Sequence, residues 1–482
     1  MVMEFSGRAQ DLRLLQEQLS LVLEQKLTTR GRALIMTGRR RVGKSRLVQE
    51  FCERSNLPYL VFQATRGRSP AAERHDLVQS IDCAGFPQAE LVRGNRPADW
   101  NEALRALAAA AGDTPCIIVL DEVPWLVEQD GEFEGALQTV WDRLLSARPI
   151  LLILVGSDLT MMEALQEYGR PFFGRAARMT IRPLHLADVA EMTRLPAADA
   201  IDALLITGGF PEIVRSWEPG SSRTDFLRRS VDSPLSPLLV AGELTLLAEF
   251  PAGGHTRSVL EAIGAGERSF ANIAARTGGT SPLPSGTLAP ILATLVAKQV
   301  IAADLPLSTS HDTKNKRYRI ADHYLRFWLP FLQRAIHDSE RGRPDIALRR
   351  IDRSWTSWRG RAVEPLIRET LAKALPDDTW PCTEEIGGWW NRQNNPEIDL
   401  VGADKRPVAG RVHFTGSIKW LDNRPFDRHD YDELARGATF VPGVTADTPK
   451  VAVSKAGTAP GLALDQVWGP DDLVEVWRRP SR

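Results

Sequence analysis

Apolar positions follow two regimes along this chain. Through the first 240 residues, short unbroken apolar runs alternate with stretches of helical periodicity. Ala33-Leu-Ile-Met-Thr37, Tyr59-Leu-Val-Phe62, Cys116-Ile-Ile-Val-Leu120 and Ile150 to Val155 read as buried strands, each bounded by Gly, Pro or polar residues. Strands apolar on both faces and separated by helices predict an α/β fold with a parallel sheet covered on both sides. From residue 256 to 303 the period is helical: Arg257 to Ile263, Ser269 to Thr277 with Gly278-Gly279 as its stop, and Ser285 to Val296 with Ser285 as N-cap. Val300 to Ala303 and Tyr318 to Ile320 then predict a β-wing around Ser308 to Arg317, in winged helix-turn-helix order. Strand-like runs return after Trp355. A helix following Trp358 runs to about Leu375, and a hairpin pairs Glu385 to Trp390 with Glu397 to Val401 across the turn Asn391 to Pro396. A third strand spans Val408 to Lys419.

Length sharpens this into an order. The chain has 482 residues, which corresponds to about three domains. Ser230 to Pro237 and Phe250 to Gly254 are Pro/Gly/Ser-rich and mark boundaries. The expected division is 1–180 for a sheet core, 181–250 for a helical lid, 251–335 for the winged helix and 336–482 for the C-terminal section. Lys and Arg total 60 against 61 Asp and Glu, a net charge of -1. That excludes a polycation coating nucleic acid, but not a local basic face. Residues 255–320 hold eight Lys/Arg and four acids, and Lys314, Lys316, Arg317 and Arg319 cluster at the wing. They are the candidate contacts to double-stranded DNA, through backbone phosphates, since the third helix carries no base-reading Arg or Asn. The competing reading is a winged helix used for intramolecular packing. The apolar run Ile150 to Gly156 is far shorter than the roughly 20 residues of a spanning helix. The N-terminus has no secretory pattern, and the four cysteines form neither a metal knuckle nor a disulfide framework. A cytoplasmic protein without a membrane partner is expected.

One loop carries phosphate chemistry. Gly38-Arg-Arg-Arg-Val-Gly-Lys-Ser45 fits GxxxxGK[ST] between a predicted strand and the helical run Arg46 to Phe51. The glycines permit backbone conformations that turn N–H groups toward phosphate oxygens, and the helix N-terminus adds a positive dipole end. Gly38, Arg39, Arg40, Arg41, Val42, Gly43, Lys44, Ser45 and Arg46 are thus candidates for binding ATP or ADP. Lys44 would reach the β- and γ-phosphates, and the Ser45 hydroxyl would bind Mg²⁺. Asp121 at the end of the third strand would hold Mg²⁺ through water, and Glu122 would polarise the attacking water. Ser157, after the fourth strand, is the preferred γ-phosphate sensor, with Asp158 second or serving as a helix cap. Arg175 either stabilises transferred-phosphate charge or forms a structural salt bridge.

Together these blocks resemble the archaeal-type P-loop ATPases, close to the STAND and origin-recognition ATPases of the wider AAA+ group. Phe5-Ser-Gly-Arg8, with Leu12 and Leu15, is similar to the family's N-terminal segment, with Ala9 and Asp11 in place of its two glutamates. Gly38 to Ser45, Leu120-Asp-Glu122, Val155-Gly-Ser157, Phe173-Gly-Arg175 and Thr207-Gly-Gly-Phe-Pro-Glu212 match its later motifs. The resemblance implies a RecA-like sheet followed by a small helical lid, with Arg8 near the adenine and Pro211 near the base. Tyr318 to Trp328 resembles the family's link into a C-terminal domain at Asp322 and Phe327-Trp328, aromatics that read as core.

The C-terminal order of helix, hairpin and strand resembles the restriction-endonuclease-like domain that often ends these ATPases, with motif E…D…(D/E)xK. Glu364, Asp399 and Lys419 take those places. Ser417 stands where the second acid is expected, and losing that oxygen ligand weakens a Mg²⁺ site. Glu397, on the same strand face as Asp399, is the substitute ligand. The domain is then either a metal-dependent nuclease or a degenerate fold used for binding or assembly. The leading expectation is a Mg²⁺-dependent ATPase whose nucleotide state controls this half, acting on DNA and able to form a homo-oligomer. The alternatives are an ATP-dependent signalling or assembly switch without DNA, and an ATP-gated nuclease.

Overall fold

The computed structural model describes residues 5–24, 30–249, 254–312, 314–393 and 395–479. All but the last residue of the expected boundary Phe250 to Gly254 lies outside them. The chain forms two compact units, residues 1–183 and 184–482. The segments read as 181–250, 251–335 and 336–482 fall almost wholly in the second.

In the first unit, α1 (Ala9–Leu23) precedes β1 (Arg32–Thr37), α2 (Lys44–Ser55), β2 (Tyr59–Gln63), α3 (Pro70–Ser80) and α4 (Trp100–Ala111). There follow β3 (Cys116–Asp121), α5 (Val123–Gln129), α6 (Phe133–Arg143), β4 (Ile150–Gly156), α7 (Leu159–Ala164) and β5 (Ala176–Thr180). The sheet is parallel, in the order β2-β3-β4-β1-β5. Each residue of β3 and β4 is buried, as central strands covered on both faces require. Ile118, Leu120, Leu152 and Leu154 share a core with Leu77, Leu104, Leu107 and Phe133 of the helices. The opposite parity, Ile117, Val119, Leu151 and Ile153, is equally buried on the side that α1 and α2 cover. β5 has no apolar run to announce it. It is half-exposed Ala-Ala-Arg-Met-Thr, and pairing with β1 makes it a strand.

The second unit opens with α8 (Leu186–Thr193), α9 (Ala197–Thr207), α10 (Pro211–Arg215), α11 (Arg223–Asp232) and α12 (Pro237–Glu249). Next come α13 (Thr256–Gly264), α14 (Phe270–Thr277) and α15 (Ser285–Ala297). The antiparallel ribbon β6 (Ile301–Asp304) and β7 (Arg317–Ile320) completes the element order expected of a winged helix. Ser269 caps α14, but Ser285 is already inside α15 and Pro284 holds the cap position. Asp322 caps α16 (His323–Phe327), and Phe327 and Trp328 are fully buried, as core aromatics should be.

α17 (Gln333–Glu340) leads to α18 (Pro344–Ala374), which starts well before the expected Trp358 because Pro344 preorganises its first turn. The mixed sheet β12-β11-β10-β9-β8 follows. It comprises β8 (Glu385–Trp390), β9 (Glu397–Ala403), β10 (Val412–Lys419), β11 (Lys450–Ser454) and β12 (Gln466–Trp468), with helices α19 (Arg428–Ala438) and α20 (Pro470–Arg478). β10 begins four residues later than expected, because the Asp404 carboxylate accepts from Gly410 and Arg411 N–H and holds that stretch in a turn. Buried Arg359 of α18 bonds Asp202 of α9 at 3.0 Å and Asp422 after β10 at 2.8 Å, tying the early helices to this sheet. Among the described residues, no helix is long and apolar enough to cross a membrane.

Candidate functional site

Strand order assembles the phosphate site. β4 lies between β1 and β3. Ser157, just past β4, therefore sits between the loop after β1 and the acids ending β3. Lys44 Nζ donates to the carbonyls of Gly38 (2.7 Å) and Arg39 (3.1 Å) and to Ser157 Oγ (3.0 Å). Ser157 Oγ in turn donates to Glu122 Oε1 at 3.0 Å. Ser45 Oγ donates to Asp121 Oδ2 at 2.7 Å, and the Glu122 N–H donates to Asp121 Oδ1 at 2.9 Å. The lysine, the hydroxyl and both acids thus form one connected set at the carboxyl edge of the sheet, where open α/β folds bind ligands.

The backbone is shaped for the task. Gly43, with φ of 89°, caps α2, so the loop turns into the helix through a left-handed residue. A side chain at Gly38 would meet the Ile181 carbonyl at 2.4 Å. Glu122 is itself left-handed, with φ of 56°, an uncommon setting for a non-glycine residue. Burial pushes the Lys44 ammonium down to about 8, against the support of Glu122 and Asp121. Phosphate at the loop would favour the charged form. Ser45 and Asp121 are hard oxygen donors in hydrogen-bond contact, a pair that fits Mg²⁺.

The other residues divide. Arg8 is buried and donates to the carbonyls of Val42 (2.5 Å) and Arg182 (2.6 Å), and it pairs with Asp11 at 2.9 Å. It props the phosphate loop from behind, and Asp11, a departure from the family pattern, holds it there. Arg39 contributes its carbonyl to Lys44, Arg40 and Arg41 are exposed, and Arg46 pairs with Glu50 at 2.8 Å. Asp158 caps α7, accepting from the Met161 N–H at 3.0 Å, so of the two only Ser157 joins the hydrogen-bonded set with Lys44 and Glu122. Arg175 donates twice to Asp142, at 2.8 Å each, and also to the Pro171 and Phe173 carbonyls. The salt-bridge reading is thus the one this geometry supports. Pro211 opens α10 in the second unit.

The C-terminal constellation is built differently. Glu364 and Asp399 are close enough to interact: burial first, then Asp399, pushes Glu364 up to about 7. Burial also raises Asp399. Arg368, one turn beyond Glu364, donates to Glu364 Oε2 at 3.3 Å and to the Asp399 carbonyl at 2.8 Å. Asp399 Oδ2 is occupied by Ser417 Oγ (3.0 Å) and the Ile418 N–H (2.8 Å). Two assignments change. Lys419 pairs with buried Asp430 at 2.9 Å, and Glu397 pairs with Arg317 at 2.6 Å, because α19 and the wing offer each a nearer opposite charge. Among the described residues, no group of three His, Cys, Asp or Glu side chains could hold a metal ion. With the Arg368 guanidinium fixed against Glu364 and the Asp399 backbone, and no third acid grouped with the pair among the described residues, the residues present do not fit Mg²⁺, which needs several free oxygens. Sequence reasoning missed Arg368, although its i,i+4 spacing from Glu364 was visible.

At the β6–β7 ribbon, Arg317 also stacks on Trp390 at 4.2 Å, and Arg319 bonds Asp304 at 2.7 Å. Both were expected to face DNA, yet both are held by the protein's own side chains, since each lies in β7 beside an acid. Lys314 and Lys316 remain exposed.

Residues 328–429 match the DUF234 family model, described as archaea bacterial proteins of unknown function. An uncharacterized protein of Methanocaldococcus jannaschii is 24% identical over 453 residues, covering 91% of this chain and 92% of that protein. Among solved structures, the chain is similar to a Walker-type ATPase of Pyrococcus abyssi (19% identity, TM-score 0.47, 67% of this chain and 96% of that one). It is also similar to the Aeropyrum pernix ORC2 protein in ADPNP–ADP complexes (14% identity, TM-score 0.44, 70% and 96%). The sheet order and the loop–strand constellation give the first unit a P-loop nucleotide-binding fold, and the C-terminal sheet domain overlaps the DUF234 match.

Proposed function

We propose that this protein binds ATP with Mg²⁺ and hydrolyses it, and that nucleotide state governs a C-terminal half able to contact duplex DNA. One observation carries the ATPase reading: Lys44 and Glu122 converge on the Ser157 hydroxyl while Ser45 meets Asp121. Phosphates entering the loop would draw Lys44 from the Gly38 carbonyl toward their oxygens. Ser45 and Asp121 would hold Mg²⁺, which when bound neutralises charge on the transferring phosphoryl group. Glu122 then orients and deprotonates the attacking water. Ser157, bonded to both Lys44 and Glu122, reports the presence of the γ-phosphate to the acid. The test is Glu122→Gln, assayed for nucleotide affinity and turnover. Turnover should fall about 10³-fold with ATP affinity held within about threefold. Normal turnover would place the water elsewhere.

DNA contact rests on Lys314 and Lys316 at a wing within a basic segment. Lys314→Glu with Lys316→Glu should weaken duplex binding about tenfold or more in a gel shift at low salt, in line with two lost phosphate contacts. A second reading, a switch without DNA, is favoured by the docking of Arg317 on Glu397 and Trp390. Absence of any duplex shift by the unsubstituted chain would select it, while unchanged shifts of the double variant would sink Lys314 and Lys316 as the contact site. The C-terminal sheet serves binding or assembly in either reading, and no cleavage step is assigned to Glu364, Asp399 and Lys419.

A further inference from the structure

α18 places Arg350, Ser354, Ser357, Trp358 and Arg361 at helical spacing, so they form one stripe along it. That stripe walls a cavity of about 300 Å³ within the second unit, closed by α13 and the turn after it, β7 and the turn after α16. Five arginines line it: Arg268, Arg319, Arg326, Arg350 and Arg361. No acid is among the lining residues.

Three of the guanidiniums are partly answered from outside the cavity, by Asp304 for Arg319, Asp338 for Arg350 and Glu397 for Arg268. Arg350 Nη1 is nevertheless buried without a hydrogen-bond partner. Arg326 and Arg361 have no carboxylate within ion-pair distance among the described residues. Arg326 is instead pinned by helix geometry. Pro365 has no N–H for the Arg361 carbonyl, four residues back in α18, and Arg326 Nη2 donates to that carbonyl at 2.7 Å. Burial lowers the Arg326 guanidinium, and Arg319 and Arg268 add to this while Glu364 opposes it. Positive charge is thus concentrated around a concavity whose own walls supply no anion. Phe331, Trp358 and Tyr318 add an aromatic wall.

We propose that this cavity is a second ligand site, for a small molecule carrying a diphosphate. Guanidinium forks match phosphate oxygens in pairs, and the aromatic wall suits a ring attached to them. Competition with a duplex oligonucleotide separates this ligand from the DNA considered at the wing.

The test uses the full chain carrying Lys44→Ala, so that the P-loop no longer competes for the probes. Inorganic pyrophosphate and ADP are titrated calorimetrically. One site per chain is expected, weakened at least tenfold by adding Arg361→Ala, with Arg268→Ala giving a similar loss. Unliganded melting temperatures should be unchanged by Arg361→Ala, because Arg361 is exposed and its side chain's hydrogen bond to the Ser357 carbonyl, at 3.4 Å, is long. Absence of binding by either probe at millimolar concentration overturns the proposal. Binding indifferent to both arginine substitutions also overturns it. So does a duplex oligonucleotide that displaces pyrophosphate, which would make the cavity part of a DNA surface.

Discussion

At the end of β3, Asp121 accepts from Ser45, and Glu122 accepts from Ser157, which in turn accepts from Lys44. Where α18 packs on the C-terminal sheet, Glu364 and Asp399 meet Arg368 instead. Both regions place acids where a divalent metal would be sought. In the first, the acids face a lysine ammonium and a hydroxyl that a phosphate and a metal can take over. In the second, the cation is already part of the protein, fixed on a helix one turn from Glu364. Acid residues at family spacing are therefore insufficient to define a metal centre. What decides is whether a guanidinium fixed in the fold already takes the place a metal ion would fill.

The largest expected effect is at Lys44. Lys44→Ala should weaken ADP and ATP binding at the loop by about 100-fold or more, since a buried charge-assisted contact to two phosphates is lost. Retained tight binding there, in equilibrium dialysis, would show that the loop amides alone suffice. Arg368→Met should act on folding rather than on turnover. It leaves Glu364 and Asp399 without their cation, at a cost of about 3 kcal/mol in denaturant unfolding. Little change in the midpoint would mean that the acids are neutral or solvated and that Arg368 is dispensable.

A smaller effect follows from Glu364 itself. Its folded-state value lies near 7, against an ordinary value of 4.5. The folded protein thus holds this proton more tightly than the unfolded chain. Its contribution to stability is full below about pH 4.5 and declines as pH rises toward about 7. Glu364→Gln should flatten that decline in melting temperatures measured across the window. An unaltered slope would move the responsible proton to another group.

Much of the first unit was legible because its chemistry is local. The apolar runs foretold β1 to β4, and GxxxxGK[ST] fixed the loop, since conformation and charge there come from consecutive residues. β5 was invisible, because a half-exposed edge strand needs its partner's hydrogen bonds more than its own hydrophobicity. Arg317, Lys419 and Glu397 were misread for a related reason: a charged side chain is read as available until a partner distant in sequence appears. Arg8 shows the same dependence, with its role set by a carbonyl 34 residues away.

By itself, then, the sequence determined the parallel sheet, the phosphate loop, the Asp121–Glu122 pair and the helix–helix–helix–ribbon order. Backbone propensity and motif spacing act over tens of residues. Tertiary structure alone decided which charges remained unanswered. It set Ser157 between Lys44 and Glu122 by inserting β4 between β1 and β3. It gave Glu364 an internal cation, and it gathered five arginines around one cavity. The strength of an electrostatic interaction depends on distance and burial, and for residues far apart in sequence both are set only when the chain has folded.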